Sequence, residues 1–255
     1  MTLQITPLTG LPLIQSGDPL ASFIFHSTQA AGITLQEGDI FILAQKIVSK
    51  AEGRLVNLCQ VSPSPEAVHI ARQTEKDPRF VELVLQESRS ILRTRPGALI
   101  VEHRLGFVCA NAGIDHSNVG GLDGDPDDWV LLLPLDPDGS AGNIRRELES
   151  SAGLGLGVMV IDTHGRAWRN GVVGACIGLS GIPGVVDMRG RLDLFGYSLR
   201  ITQIAVADEL AAAASLVMGQ AAEGIPVVHV RGFPYPLREG SLTELIRPKE
   251  QDLFR

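Results

Sequence analysis

The chain has 255 residues, of which 44% are apolar and 20% are charged. This is the composition of a folded protein, and the length is sufficient for a large hydrophobic core, built as one domain or as two small intertwined ones. The net charge of −7 argues against a general nucleic-acid-binding protein, although it leaves room for a site that binds an anionic small molecule.

The cysteines and the N-terminus indicate the cellular setting. Cys59, Cys109 and Cys176 are widely spaced and form no CxxC pair, which argues against a disulfide scaffold or a zinc site. The first residues lack a basic segment followed by an apolar one, so no signal peptide is predicted. No segment reaches the ~18 apolar residues of a membrane span. We therefore predict a cytoplasmic protein outside the membrane.

The N-terminal part of the chain predicts a strand, a helix and a second strand. Residues 3–8 have the pattern of a strand. Residues 17–32 predict a helix with Asp18 as its cap and Pro19 in its first turn. Residues 40–44 are a clear apolar strand, after which the chain becomes polar and basic.

The next part predicts two helices and a hairpin. Residues 64–73 and 77–88 fit helices, and a serine and a proline provide a start signal for the first of them. The hairpin has arms at 99–102 and 107–110, and its turn lies near 104–106.

Apolar segments and turn signals continue through the second half. They predict a loop at 123–128, a strand at 129–134, a helix from about 140 to 152, a strand at 155–162, a glycine-rich apolar segment at 171–181, a helix at 202–219 and a strand at 225–232. Helices and strands mix throughout, which predicts an α+β (mixed α/β) fold with mixed sheets. The pattern does not mark a domain boundary, and residues 120–140 are only a weak candidate for one.

Two acidic residues follow strand-like segments and are candidate metal ligands. Asp115 lies in "NAGIDHSN" and Asp162 in "VIDTHGR", with Asn118 and Thr163 close by. A carboxylate held at the end of a strand suits Mg²⁺ or Mn²⁺, which prefer oxygen ligands and complete their shells with water and phosphate oxygens. The alternative is that both acids only cap turns.

A basic run follows the strand at 40–44. Lys46, Lys50 and Arg54 are spaced four residues apart, so that on a helix all three would face one side and could hold a polyphosphate. Arg166 and Arg169 form a second basic group after Asp162. The alternative for both groups is a solvated basic surface with salt bridges.

Familiar nucleotide and catalytic motifs are missing. The sequence has no GxxxxGK[ST] segment, and the glycines at 153–157 precede a strand instead of following one. The loop at 218–226 either wraps a nucleotide with its backbone amides or simply ends a helix. His116 and His164 follow the acidic residues and are expected near the site, whereas His229 is expected in the core or at a strand edge.

Several segments together resemble the coenzyme F420-0:L-glutamate ligase family. They are "GLPLI", "VSKAEGR", "NAGIDHSN", "LLPLDPDGSA", "VIDTHGR…RNGVVGACIGLSG", "DLFG" and "ADELAAAASLVMGQAAEGIPVVHVRG". They occur in order from about residue 3 to residue 247. The resemblance is to the stand-alone ligase, without the appended nitroreductase-like domain of fused versions. It implies a single ligase domain over residues 1–255, built either as one unit or as two intertwined subdomains.

The resemblance implies a GTP-dependent γ-glutamyl ligase. Such an enzyme joins L-glutamate to a deazaflavin coenzyme precursor and releases GDP and phosphate. The family uses Mg²⁺ or Mn²⁺ at two sites, is stimulated by K⁺, forms intertwined homodimers and has a fold of its own, neither P-loop nor ATP-grasp. Nucleic acid and membrane are not expected as partners.

The resemblance also implies site residues. Asp115 and Asp162 match the ligands of one metal, and Thr163 and Gln220 those of the other. Asp115, Asp162 and Lys50 are expected to take part in catalysis. The nucleotide contacts carried over are Leu11, Pro12, Leu13, Ile14, Gln45, Lys46, Lys50, Asn118, Met218, Gly219, Gln220, Ala221, Ala222, Glu223, Gly224 and Ile225.

Two other functions stay open at the level of the sequence. One is a related nucleotide-dependent ligase that adds glutamate to another carboxylate acceptor, such as a folate-like one. The other is a nucleotide- and metal-binding regulator that has lost turnover. Glutamate- and acceptor-dependent conversion of GTP to GDP would distinguish them.

Overall fold

A computed structural model describes residues 2–119 and 125–253. The helices are α1 (Leu20–Ala30), α2 (Gln45–Ala51), α3 (Pro65–Thr74), α4 (Pro78–Gln86), α5 (Pro137–Ala152) and α6 (Val206–Met218). The strands are β1 (Gln4–Leu8), β2 (Ile40–Ala44), β3 (Leu55–Asn57), β4 (Ser88–Arg95), β5 (Ala98–His103), β6 (Val108–Ala110), β7 (Trp129–Leu131), β8 (Gly157–Arg166), β9 (Arg169–Ser180), β10 (Val186–Asp187), β11 (Gln203–Ile204) and β12 (Val227–Arg231).

The main sheet has five strands in the order β1-β12-β2-β8-β9. Only β2 and β8 run parallel, and the other neighbours are antiparallel. The α+β fold with mixed sheets, predicted from the alternation of helices and strands, is therefore confirmed.

The two faces of the main sheet carry separate apolar cores. Because side chains alternate along a strand, Phe41 and Leu43 of β2 pack on one face with α1 and α5, whereas Ile40 and Ile42 pack on the other face with α6. All four side chains are fully buried. This accounts for the continuous apolar run at the centre of β2.

A third apolar core lies in the part of the chain between β3 and β7. There α3 and α4 pack on the three-stranded antiparallel sheet β4-β5-β6. Phe107, in the turn between β5 and β6, contacts both this core and the core on the α5 face of the main sheet. The ring therefore lies where the two cores meet, which is also where the candidate site is found.

Several sequence predictions need correction. Asp18 does not cap α1: its carboxylate accepts from the backbone N–H of Gln15 at 2.7 Å, and α1 begins without a side-chain cap. Asp162 does not lie at a strand end, since β8 continues to Arg166. The strand β4 was missed, because its sequence SRSILRTR is mostly polar and its side chains are half-buried or exposed.

Other predicted elements are confirmed with small shifts. Ser64 caps α3 through the N–H of Ala67, and the hairpin of β5 and β6 forms as expected. The predicted loop at 123–128 lies partly outside the described residues. Within the described part of the chain, no helix has the length and apolar character needed to cross a membrane.

Candidate functional site

Most of the predicted site lies at one end of the strands of the main sheet, a region termed the sheet edge. Leu8 at the end of β1 pairs with Val227 at the start of β12, and Val227 pairs with Leu43 near the end of β2. Ala44, the last residue of β2, pairs with Ile161, directly before Asp162. The segments after β1 and β2, before β12 and around Asp162 therefore meet at the same edge.

The carboxylate of Asp115 lies against the first turn of α2. Its Oδ2 accepts a hydrogen bond from Gln45 Nε2 at 2.8 Å and lies 3.1 Å from Lys46 Nζ. A backbone bridge to Leu131 fixes the Asp115 main chain. Burial raises the pKa of Asp115; Lys46 opposes this rise, and the nearby charge of Asp162 adds to it. The two acids are thus close enough to interact electrostatically.

Lys46 and Lys50 point to the segment after Asp115. Lys46 Nζ donates to the backbone oxygen and to the hydroxyl of Ser117, at 3.0 and 2.9 Å. Lys50 Nζ donates to the backbone oxygen of Asn118 at 2.7 Å. Burial, and then the charge of Lys46, lowers the pKa of Lys50. Lys46 therefore contacts Asp115 directly, and Lys50 lies close to Lys46 and binds the backbone at Asn118.

Asn118 connects these lysines to the loop after α6. Its Nδ2 donates to the backbone oxygen of Ala221 at 3.0 Å. Within that loop the carboxylate of Glu223 accepts from the N–H of Ala221 at 2.7 Å. Gly219 ends α6 at φ 75, a conformation that favours glycine. Residues 218–225 thus form both a helix end and one wall of the site.

Asp162 and Thr163 lie on opposite faces of β8, as successive residues of a strand do. Asp162 Oδ2 lies 3.1 Å from His164 Nε2 on its own face. Thr163 pairs with Gly174 of β9, against which Ser215 of α6 packs.

Gln220 lies near Thr163 on the α6 side of the strand. Its Nε2 donates to Ser215 Oγ at 3.0 Å, and Ser215 packs on the glycine that pairs with Thr163. The two residues assigned to the second metal therefore share one side of β8, and Asp162 faces the other side.

The segment from Leu11 to Ile14 follows β1 at the same sheet edge. Leu11 and Ile14 pack on the core of the α5 face, whereas Leu13 is 90% exposed. The following turn is tied to α2 by the N–H of Gly17, which donates to Ala51 O at 2.8 Å. The exposed part of the segment is free to contact a ligand at the edge.

Known proteins of one family match almost the whole chain. A family model described as F420-0:Gamma-glutamyl ligase matches residues 10–232. The coenzyme F420:L-glutamate ligase of Methanothermobacter thermautotrophicus is 48% identical over the full length of both chains. That of Methanopyrus kandleri is 46% identical over 100% of this chain and 98% of its own. That of Methanocaldococcus jannaschii is 42% identical over 96% and 94%.

The chain belongs to the F420-0:γ-glutamyl ligase family. The resemblance predicted from the seven sequence segments is confirmed. It extends over most of the chain, so that the sheet edge described above lies within the region that the family model matches.

The predicted row of three basic side chains, Lys46, Lys50 and Arg54, needs correction. The helix α2 ends at Ala51, so Arg54 does not continue the row of Lys46 and Lys50. Arg54 instead donates to Leu133 O and to Glu87, at 2.9 Å each. Arg54 therefore connects the segment after α2 to the third apolar core, next to α4, and takes no part in the lysine pair.

The remaining predicted groups divide between the site and other places. Arg166 and Arg169 pair with each other at the exposed turn of the β8–β9 hairpin, beyond Asp162. His164 lies in the site, as expected. His116 stacks on Phe80, with ring centroids 5.1 Å apart. His229 is buried in β12, 2.9 Å from the carboxylate of Asp39.

The two hydrogen-bond partners of the Gln45 side chain were not predicted from the sequence. Its amide lies between Ser49 and Asp115 and is only 1% exposed. The resemblance assigns Gln45 to the nucleotide, but its side chain is already occupied by two protein partners. The four-residue spacing of Gln45 and Ser49 at the start of a helix was the available signal.

The chemistry of this edge fits one divalent cation. Asp115 and Asp162 supply two carboxylates from different parts of the chain, and Mg²⁺ is commonly bound by one or two carboxylates together with water and phosphate oxygens. Within the described residues, no group of three or more His, Cys, Asp or Glu side chains is suited to a metal. Thr163 and Gln220 offer only neutral oxygens, so an ion there would need charge from nucleotide phosphates.

Proposed function

We propose that the chain is a GTP-dependent ligase that adds L-glutamate through γ-glutamyl amide bonds to the deazaflavin coenzyme F420-0 and releases GDP and phosphate. Membership of the family and the names of the relatives support the ligase activity and its two substrates. The observation that carries the proposal is the convergence of Asp115 and Asp162 beside Lys46 and Lys50 at one sheet edge.

Amide formation requires an activated carboxyl group. The proposed route is attack of the acceptor carboxylate on the γ-phosphate of GTP, which gives an acyl phosphate and GDP. The amine of glutamate then displaces phosphate. The first step is a phosphoryl transfer, in which an enzyme contributes chiefly by positioning the reactants and neutralising their charge.

The residues of the sheet edge suit these tasks. Asp115 and Asp162 would hold a divalent ion, with Thr163 and Gln220 at a second. Such ions supply charge neutralisation at phosphate oxygens. Lys46 and Lys50 would offset the negative charge of GTP and acceptor. Because Lys46 now contacts Ser117 and Asp115, it must exchange these partners when phosphate enters.

The nucleotide would lie along the edge of the main sheet. The segment Leu11–Ile14, the start of α2, Asn118 and the loop 218–225 surround this space. The N–H of Ala221 now donates to the carboxylate of Glu223, an interaction that a nucleotide phosphate could replace.

We also propose that the chain forms a homodimer, which the exposed apolar side chains between β10 and β11 support.

Mass spectrometry of the reaction products tests the activity. The protein is incubated with F420-0, GTP, glutamate, K⁺ and either Mg²⁺ or Mn²⁺. We expect products heavier by whole glutamyl units, with GDP formed only when both glutamate and acceptor are present. Glutamate-dependent turnover with a different acceptor would indicate a related ligase, and nucleotide binding without turnover would indicate a regulator.

Substitution of the two acids tests the site. Asp115→Asn and Asp162→Asn remove one negative charge each at nearly constant volume, and we expect each to lower kcat at least about 100-fold, the size seen when a group that stabilises transition-state charge is lost. Glu66→Gln, an exposed acid on α3, is the control. Near-normal turnover in either Asp variant would overturn the metal assignment.

A further inference from the structure

The carboxylates of Asp115 and Asp162 are each contacted by neighbouring protein side chains. Asp115 Oδ2 accepts from Gln45 Nε2 at 2.8 Å and contacts Lys46, and Asp162 Oδ2 lies 3.1 Å from His164 Nε2. Within the described residues, no hydrogen bond reaches the Oδ1 atom of either carboxylate. Each acid is therefore held by one oxygen while the other remains available to a ligand.

The side chain of Gln45 is fixed at both ends. Ser49, which is fully buried, donates its hydroxyl to Gln45 Oε1 at 2.8 Å. This leaves the amide nitrogen to face Asp115, the orientation that a carboxylate requires because it can only accept. Since Gln45 is 1% exposed, its amide cannot turn to an incoming nucleotide without breaking both hydrogen bonds.

The ring of His164 is fixed by packing. It lies two residues after Asp162 on the same face of β8, and its centroid is 5.2 Å from that of Phe107. Phe107 in turn stacks on His103 at 5.0 Å, with the rings nearly parallel. The His164 side chain is 14% exposed. A packed ring whose Nε2 faces Asp162 Oδ2 limits the rotation of that carboxylate.

We propose that Gln45 and His164 are positioning residues that hold Oδ2 of Asp115 and of Asp162, respectively, so that both Oδ1 atoms are presented to one divalent cation. This inference rests on the proposed function, and it gives Gln45 a role different from the nucleotide contact expected from the resemblance. Side chains that orient metal ligands commonly change metal affinity 10- to 100-fold when they are replaced.

Direct Mn²⁺ binding tests the inference without turnover. MnCl₂ alone is titrated into the nucleotide-free protein, and free Mn²⁺ is followed by electron paramagnetic resonance. Gln45→Leu removes the amide at similar volume, and His164→Phe keeps the ring packing but removes the donor. We expect each to raise the Kd for Mn²⁺ about tenfold or more.

Two milder variants keep the inference testable if Gln45→Leu or His164→Phe does not fold. Ser49→Ala leaves the Gln45 amide in place but frees its rotation, so a smaller rise in Kd is expected. His164→Gln keeps a donor on a side chain that can reach Asp162, so its affinity should recover part of the loss seen in His164→Phe. Such recovery is not expected if His164 serves only to fill space.

A matched control separates positioning from general stability. Thr74 is fully buried in α3 and donates its hydroxyl to Ile70 O at 2.9 Å, far along the chain from the site. Thr74→Val should lower the melting temperature much as Ser49→Ala does, without changing Mn²⁺ affinity.

The outcomes distinguish this inference from the proposed function. If the unmodified protein binds Mn²⁺ and folded Gln45→Leu and His164→Phe bind it equally well, the positioning roles are wrong and the ligase proposal stands. If the unmodified protein binds no Mn²⁺ at either acid, the positioning roles fail together with the metal assignment.

Discussion

At the scale of single residues, Glu87 connects the third apolar core, next to α4, to the segment after α2. It accepts from Arg54 Nη2 at 2.9 Å and from Arg104 Nε at 2.8 Å. Burial alone would raise its pKa, but His103, Arg104 and Arg54 outweigh burial and bring the pKa to about 2. Because this pKa lies below the ordinary value of 4.5, ionised Glu87 stabilises the fold above about pH 4.5.

We therefore predict that this contribution is lost as the pH falls from about 4.5 towards 2. Glu87→Gln should lower the free energy of unfolding at pH 7 by roughly 3 kcal/mol, because it leaves two half-buried arginine side chains without their anion. The substitution should also make the free energy of unfolding less dependent on pH below about pH 5. Urea unfolding at a series of pH values measures both effects.

The exposed Glu66→Gln variant is the control for Glu87, and it should leave both the stability at neutral pH and the acid slope unchanged. If Glu87→Gln retains the full acid slope of the unmodified protein, other carboxylates are responsible for that slope and the role assigned to Glu87 is wrong.

The acids, lysines and Asn118 of the site were predictable from the sequence because their segments resemble one family. Their partners were not. Arg54 was placed with the lysines because its spacing fits a helix, but α2 ends at Ala51, and a helix end depends on tertiary contacts that spacing does not contain. The Gln45 amide was assigned to a nucleotide. Its four-residue spacing from Ser49 indicated one partner, but the other partner, Asp115, lies 70 residues further along the chain, which no local pattern shows.

At the scale of elements, the packing of α6 on the β8–β9 hairpin depends on Gly174. A methyl group added at Gly174 would lie 2.5 Å from Ala211 O and 2.6 Å from Ser215 Cβ. We predict that Gly174→Ala lowers the free energy of unfolding by about 1–3 kcal/mol, the usual cost of overpacking. Urea unfolding measures this loss.

Gly165 on the same hairpin is a matched control for Gly174. An added methyl group there meets no atom within 4 Å, and its backbone is not in the left-handed region. Gly165→Ala should therefore be nearly neutral. Equal stability of the two alanine variants would show that α6 moves aside without cost, which would contradict the tight packing inferred here.

The elements that the sequence predicted well are those with a clear apolar pattern. The strand β2 was predicted with its actual ends, and β12 and α6 were found with small shifts. The polar strand β4 was missed, and β8 was ended too early at Asp162. Beyond that residue β8 is paired only with β9, and its last residues Gly165 and Arg166 are exposed, so the hydrophobic pattern that marks a strand stops there.

At the scale of the whole molecule, the mixed sheet explains how distant segments form one site. The sequence predicted helices mixed with strands, but strand order depends on contacts far apart along the chain. The parallel pairing of β2 and β8 places Gln45 beside Asp162, more than one hundred residues later in the numbering. That pairing brings the short helix α2, which carries Lys46 and Lys50, to the acid of β8.

The exposed segment between β10 and β11 bears on assembly. Leu194 is 98% exposed, Phe195 94% and Ile201 87%, and an apolar group of this kind is typical of a protein–protein contact. We predict that the unmodified protein has twice the chain mass of 27.3 kDa by light scattering, and that Leu194→Asp combined with Phe195→Asp yields the single-chain mass. Burying two carboxylates without partners would oppose association.

Leu253→Asp is the control for the double variant, since Leu253 is also an exposed leucine, at 87%, and lies outside the segment between β10 and β11. It should retain the mass of the unmodified protein. Circular dichroism spectra should be the same for all three proteins, because an exposed segment can change without unfolding the main sheet. A single-chain mass for the unmodified protein, or a double mass for the Leu194 and Phe195 variant, would show that this segment does not join two copies.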